Sequence, residues 1–141
     1  MLTPKKVKFR KWHSMRTNPK KISPDTRGTK ISFGSYAMKS ETQARIKSNQ
    51  LEAARKVISR TIGKTGKYWI RIFPDRPYTA KGANVGMGKG KGDPQGYCFD
   101  ISPGRIIFEV DGTTKEIASE ALRKAGSKLP VKTRFLAKIQ K

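Results

Sequence analysis

Alternation of apolar and polar residues opens the structured part of the chain. Lys30-Ile31-Ser32-Phe33 and Ser35-Tyr36-Ala37-Met38 change character at every second residue on either side of Gly34, which predicts two short strands. From Ser48 the period changes. Leu51, Ala54, Ile58 and Ile62 recur at helical spacing, Ser48 is a favourable N-cap, and Gly63 or Gly66 is placed to end the helix. KYWIRIF, residues 67–73, is rich in β-forming residues and closed by Pro74. As a strand it sets Tyr68, Ile70 and Ile72 on one face and Trp69, Arg71 and Phe73 on the other.

Residues 74–95 carry no periodicity and read as a long Gly/Pro/Lys connection. GYCFDI (96–101) and RIIFEV (105–110) read as strands, with turns at Pro103-Gly104 and Asp111-Gly112. Thr113 to Glu116 has the form of a capping box, and Ile117, Ala118, Ala121, Leu122 and Ala125 line one face of the helix it starts, with Gly126 as its C-cap. Near the end Val131, Thr133, Phe135, Ala137 and Ile139 alternate with Lys132, Arg134, Leu136 and Lys138, a strand with a basic outer face. The predicted order, β-β-α-β-loop-β-β-α-β, is α+β.

Charge changes the picture most. The chain has 141 residues with 32 Lys and Arg against 10 Asp and Glu, a formal charge of +22. Such a field repels itself in a compact state and points to a polyanionic partner, nucleic acid above all. Residues 1–30 hold Lys5, Lys6, Lys8, Arg10, Lys11, Arg16, Lys20, Lys21, Arg27 and Lys30 with Asp25 as their one acid, and Pro4, Pro19 and Pro24 interrupt regular structure. This is a basic arm, expected to order against a polyanion. Phe9 and Trp12 within it can stack on bases or anchor the arm to the body. Arg71, on an aromatic strand face, fits a stacked RNA-binding cation or a snorkelling edge residue. The remainder, 31–141, is expected to form one α+β domain with an extended loop over 74–95.

Catalysis and cofactors find little support. His13 and Cys98 are each the sole residue of their type, so they give neither a disulfide nor a metal site between them. No run of apolar residues is long enough to span a bilayer, and the first residues lack the apolar core of a secretory signal. Four acids, Glu109, Asp111, Glu116 and Glu120, fall together near the second helix and are expected to cap it and balance nearby Lys. GMGKGKG, Gly86 to Gly92, is not a phosphate loop of the nucleotide-binding kind. Lys89 and Lys91 are each followed by Gly where that loop needs Ser or Thr, and a strand follows rather than a helix. Exposed backbone N–H groups and two Lys heads can still meet a phosphate backbone where bulkier residues would clash.

PKKVKFRKWH, ISFGSYAM, NQLEAARKVISR, KYWIRIFPDRP, MGKGKG, PGRIIFE and ALRKAGSKLPVKTRF, in that order and spacing, resemble the bacterial-type large-subunit ribosomal protein sixteen family nearly end to end. The resemblance starts at Met1 and is expected to leave no cleaved extension. It implies an α/β-hammerhead-type α+β domain, two helices on a mixed or antiparallel sheet. It further implies a non-enzymatic, cofactor-free constituent of the large ribosomal subunit, in a bacterial cytoplasm or an organelle. Family members join the subunit late, sit beside the transfer RNA sites and help shape the peptidyl-transferase region. The implied partners are large-subunit ribosomal RNA (rRNA), transfer RNA (tRNA) and neighbouring ribosomal proteins, with no membrane and no homo-oligomer. Carried over residue by residue, Lys5, Lys6, Lys8, Arg10, Lys11, Arg55, Arg60 and Arg71 match rRNA-binding positions. Met87, Gly88, Lys89, Gly90, Lys91 and Gly92 match a loop that approaches tRNA. Three departures stand out: Gly86 where the family usually has Arg, Tyr97 and Phe99 in place of Trp and a small residue, and a longer stretch from Arg16 to Thr29. The rival readings are a nucleoid or other DNA-binding protein, and a phosphate-handling enzyme built on the Gly-Lys loop.

Overall fold

The computed structural model describes residues 1–14, 18 and 20–139, so Arg16 and Pro19 of the arm lie outside the described residues. Seven strands and two helices follow in the order β1 (Tyr36–Ser40), β2 (Ala44–Lys47), α1 (Ser48–Ile62), β3 (Lys67–Ile70), β4 (Arg76–Ala80), β5 (Asp93–Ile101), β6 (Ile106–Asp111), α2 (Lys115–Gly126) and β7 (Thr133–Ala137). They make two sheets, β3-β6-β1-β7 and β2-β5-β4. Every strand pair in them is antiparallel, so the α+β expectation holds with no parallel strand among the described residues.

The helices form because their apolar stripes have somewhere to go. Leu51, Ala54, Ile58 and Ile62 of α1 and Ala118, Ala121, Leu122 and Ala125 of α2 are all buried. The two helices pack on each other, and α2 also packs on β1 and β7. Met38, Phe108 and Val110 of the larger sheet join the same core, with Tyr68, Ile70 and Phe135 at its margin.

Several expected details differ. Ser48 is the first helical residue, not the cap; Lys47 takes the cap position with its backbone N–H donating to Gln50 Oε1 at 3.0 Å. The Ser48 hydroxyl instead donates to the Leu2 carbonyl at 2.6 Å, tying the arm to the body. Thr114 Oγ1 caps α2 by accepting from Ile117 N–H, while Ile117 itself is exposed rather than part of the buried face. Gly126 lies inside α2; a Cβ there would stand 2.5 Å from Thr133 Oγ1, so close approach of β7 demands the glycine. The final strand stops at Ala137, and Ile139 is exposed.

The largest departure is at residues 30–33, which form no strand. The N–H groups of Ser32, Phe33 and Gly34 donate to the carboxylate of Glu109 at 3.0, 2.6 and 2.9 Å. Their donors are used by one side chain rather than by a neighbouring strand. Two strands went unread. β2 is short, with Ile46 its one buried residue, and β4 carries Pro77 within the stretch read as loop.

Candidate nucleic-acid interface

The sequence groups Glu109 with the acids expected to cap the second helix and balance nearby Lys. Glu109 is instead wholly buried in the central strand β6, facing Ala37 of β1 and Trp69 of β3 across the sheet. Arg71 Nη1 forms an ion pair with it, and the same guanidinium lies 5.1 Å from the centre of the Phe33 ring, which stacks with Trp69. Burial alone pushes the Glu109 carboxyl up, but the three backbone N–H donors and Arg71 outweigh it and hold it below its ordinary value. The strand expected over 67–73 stops at Ile70, so Arg71 lies just past its end, still beside Phe33 and Trp69 but with its charge directed at Glu109.

Four other acids are also ion-paired. Asp25 pairs with Arg105 at 3.5 Å, Glu52 with Arg55 at 2.6 Å and Glu120 with Lys124 at 2.8 Å, while Asp100 takes both Arg45, at 3.3 Å, and Arg76. Arg55 also donates to Tyr68 Oη at 2.9 Å, and its hydrogen bond draws the Glu52 carboxyl below its ordinary value. Arg60 is exposed in the last turn of α1, where a cation also suits the helix dipole. Lys5, Lys6, Lys8, Arg10 and Lys11 are exposed, and among the described residues no carboxylate pairs with them. Unpaired cations also remain on the body, but they are densest along the arm.

The arm and the glycine loop meet. Lys11 Nζ donates to the Lys91 carbonyl at 3.2 Å, and Lys91 Nζ donates to the Trp12 carbonyl. Arg76 of β4, fixed by Asp100 of β5, donates to the His13 carbonyl at 2.9 Å and lies 5.7 Å from the centre of the Trp12 ring. The segment 11–13 is therefore held between the loop and the smaller sheet. Nothing in the sequence joined these parts, and the Arg76–Asp100 anchor went unread because its halves belong to strands paired only by the fold.

Beyond this junction the loop stands free of the body. Residues 82–90 are all exposed and Met87 fully so. Gly88, Lys89 and Gly90 have φ of 100°, 55° and 85°, a left-handed run that glycine permits at both flanks. Lys81 Nζ donates to the Gly88 carbonyl across the loop. At its base a Cβ on Gly92 would fall 2.7 Å from the backbone of Ala80, so the two limbs close only with glycine there. Of the site residues read from the sequence, the structure gathers Lys11 and Lys91, leaves Met87 and Lys89 at the tip, and puts Arg55, Arg60 and Arg71 on the body.

Elsewhere the chemistry is quiet. Cys98 is buried, which pushes its thiol up and away from reactivity. Among the described residues no group of three or more His, Cys, Asp or Glu could hold a metal ion. No helix there is long and apolar enough to cross a membrane.

Comparison with known proteins matches this arrangement to one family. The family model described as ribosomal protein L16p/L10e matches residues 4–136. The large ribosomal subunit protein uL16 of Halorhodospira halophila is 47% identical over 136 residues, covering 96% of each chain. That of Porphyromonas gingivalis is 49% identical, covering 98% of this chain and 93% of its own. That of Rhodopseudomonas palustris is 46% identical, covering 99% and 98%. The chain belongs to the ribosomal protein L16p/L10e family.

Proposed function

We propose that the protein is a structural constituent of the large ribosomal subunit, held on its rRNA by the basic arm and the body cations and presenting the Gly-Lys loop toward tRNA. One observation carries the reading: the arm's Lys and Arg lack acid partners among the described residues, while the body's Arg residues are largely paired. A phosphate backbone supplies the missing anions, and the released counterions drive binding. Family membership supports the ribosomal assignment, an rRNA partner and contacts with neighbouring ribosomal proteins. In this reading Lys5, Lys6, Lys8, Arg10, Lys11 and Arg60 contact phosphate. Arg55 and Arg71 act at its edge, fixed by Glu52 and Glu109. Residues 1–30 act as an arm on a domain spanning 31–141, and the protein joins the subunit late, doing no chemistry.

Lys89 and Lys91 separate the tip from the junction. Lys89 is exposed at the tip, whereas Lys91 also holds the arm through Trp12. Subunits carrying Lys89→Ala with Lys91→Ala should contain the protein at normal occupancy and bind tRNA less well, most visibly at raised salt. Normal occupancy with normal tRNA affinity removes the tRNA role. Failure to incorporate makes the loop an assembly element instead.

A further inference from the structure

The arm and Asp75 of the body enclose a cleft of about 200 Å³, lined on the arm's side by Lys6, Val7, Lys8, Phe9 and Trp12 among others. Its chemistry is mixed in a specific way. Phe9 and Trp12 stay 59% and 43% exposed, and Lys8 Nζ lies 5.5 Å from the centre of the Phe9 ring over one of its faces. Trp12 is not loose, because Arg76 lies over its ring and the adjoining carbonyls of Trp12 and His13 accept from Lys91 and Arg76. Asp75 brings an exposed carboxylate into the same cleft as two Lys, yet among the described residues it has no ion pair and no hydrogen bond. The cleft therefore holds stacking surface, an acceptor without a donor, and two cations at its rim.

We propose that this cleft takes one unstacked nucleobase of single-stranded RNA, with guanine the best fit. The proposal rests on the RNA-binding reading above and names the ligand of one part of that surface. An ionised carboxylate only accepts hydrogen bonds, so the base must present N–H groups. Guanine offers two side by side on its Watson–Crick edge, matching the two carboxylate oxygens; the other bases cannot offer that pair. In a duplex that edge is already used, so the base must be splayed out, the usual form of specific RNA recognition. Trp12 and Phe9 then supply the stacking platform, and Lys6 and Lys8 meet the phosphates on either side. A peptide carboxylate in the place of the base would be repelled by Asp75, and an apolar side chain would strip water from that carboxylate without replacing its hydrogen bonds.

The test uses the full chain and single strands of about ten abasic ribose-phosphate residues carrying a central guanosine, a central uridine or no base. Wild type should bind the guanosine form over the abasic form by roughly tenfold, the scale of one stacked base. Trp12→Ala should bring that ratio close to one. Asp75→Asn should keep a preference over the abasic form and lose most of the preference for guanosine over uridine. In a Trp69→Phe background, fluorescence of Trp12 should be quenched by the guanosine form and not by the abasic one. Equal, steeply salt-dependent affinity of wild type for all three oligomers overturns the base site and leaves RNA binding standing. A preference that survives Trp12→Ala also overturns it. Absence of salt-dependent binding to any oligomer overturns both.

Discussion

Arg71, just past the end of β3, and Glu109 on β6 form an ion pair at the edge of the core, and the same carboxylate gathers the backbone of 32–34. Gly34 is part of the arrangement: a Cβ there would meet the Val110 carbonyl at 2.6 Å. Glu109→Ala leaves Arg71 and three N–H groups without their acceptor, which should cost about 3–5 kcal/mol. The pair also sets a pH dependence. Because the folded carboxyl sits below its ordinary value, its contribution is complete above about pH 4.5 and is lost as pH falls through the lower folded value. Thermal melts of wild type and Glu109→Gln should therefore converge as pH drops below that point. A gap that stays constant from neutral to strongly acid pH would show that Glu109 carries no such linkage.

Ala121 faces α1 and the sheet from the middle of α2 and has no exposed surface. Ala121→Asp buries a carboxylate with no cation at hand, at a cost of several kcal/mol. The melting temperature should fall by roughly 10 °C or more. A melt like that of wild type would mean that this face opens to water.

Arg76 holds the arm without touching the core. Arg76→Ala removes the bond to the His13 carbonyl and the contact with Trp12, and leaves Asp100 to its half-exposed pair with Arg45. Stability should fall by about 1–2 kcal/mol, since the Arg76 side chain is mostly buried and its half-exposed partner Asp100 keeps Arg45. Trypsin should cut after Lys11 several-fold faster. Unchanged cleavage would show that the loop alone holds the arm.

Much of the fold was readable, and the gaps have physical causes. The helix faces were visible because each buries a stripe at a regular period: Leu51, Ala54, Ile58 and Ile62 in α1, and Ala118, Ala121, Leu122 and Ala125 in α2. β4 was hidden by Pro77, which is tolerated because β4 is an edge strand paired only with β5. β2 offered too few residues for a period. Residues 30–33 had the right alternation and the wrong partner, since alternation records which side chains face inward and not what the backbone N–H groups meet. A signal for that partner did exist: Glu109 and Arg71 are opposite charges at interior positions of two apolar runs. The charge of the arm was plain from composition. Its junction with the loop was not, because Lys11 and Lys91 are brought together only by the fold.

Sedimentation through a high-salt gradient tests the central claim most directly. The intact protein, expressed in cells and followed by a tag, should travel with the large ribosomal particle. A form lacking residues 1–21, which loses eight Lys and Arg and no acid, should leave the particle at distinctly lower salt, since each phosphate contact contributes a slope of about 0.7–0.9. Intact protein found free, or on DNA, at salt that leaves the particle whole would contradict the account.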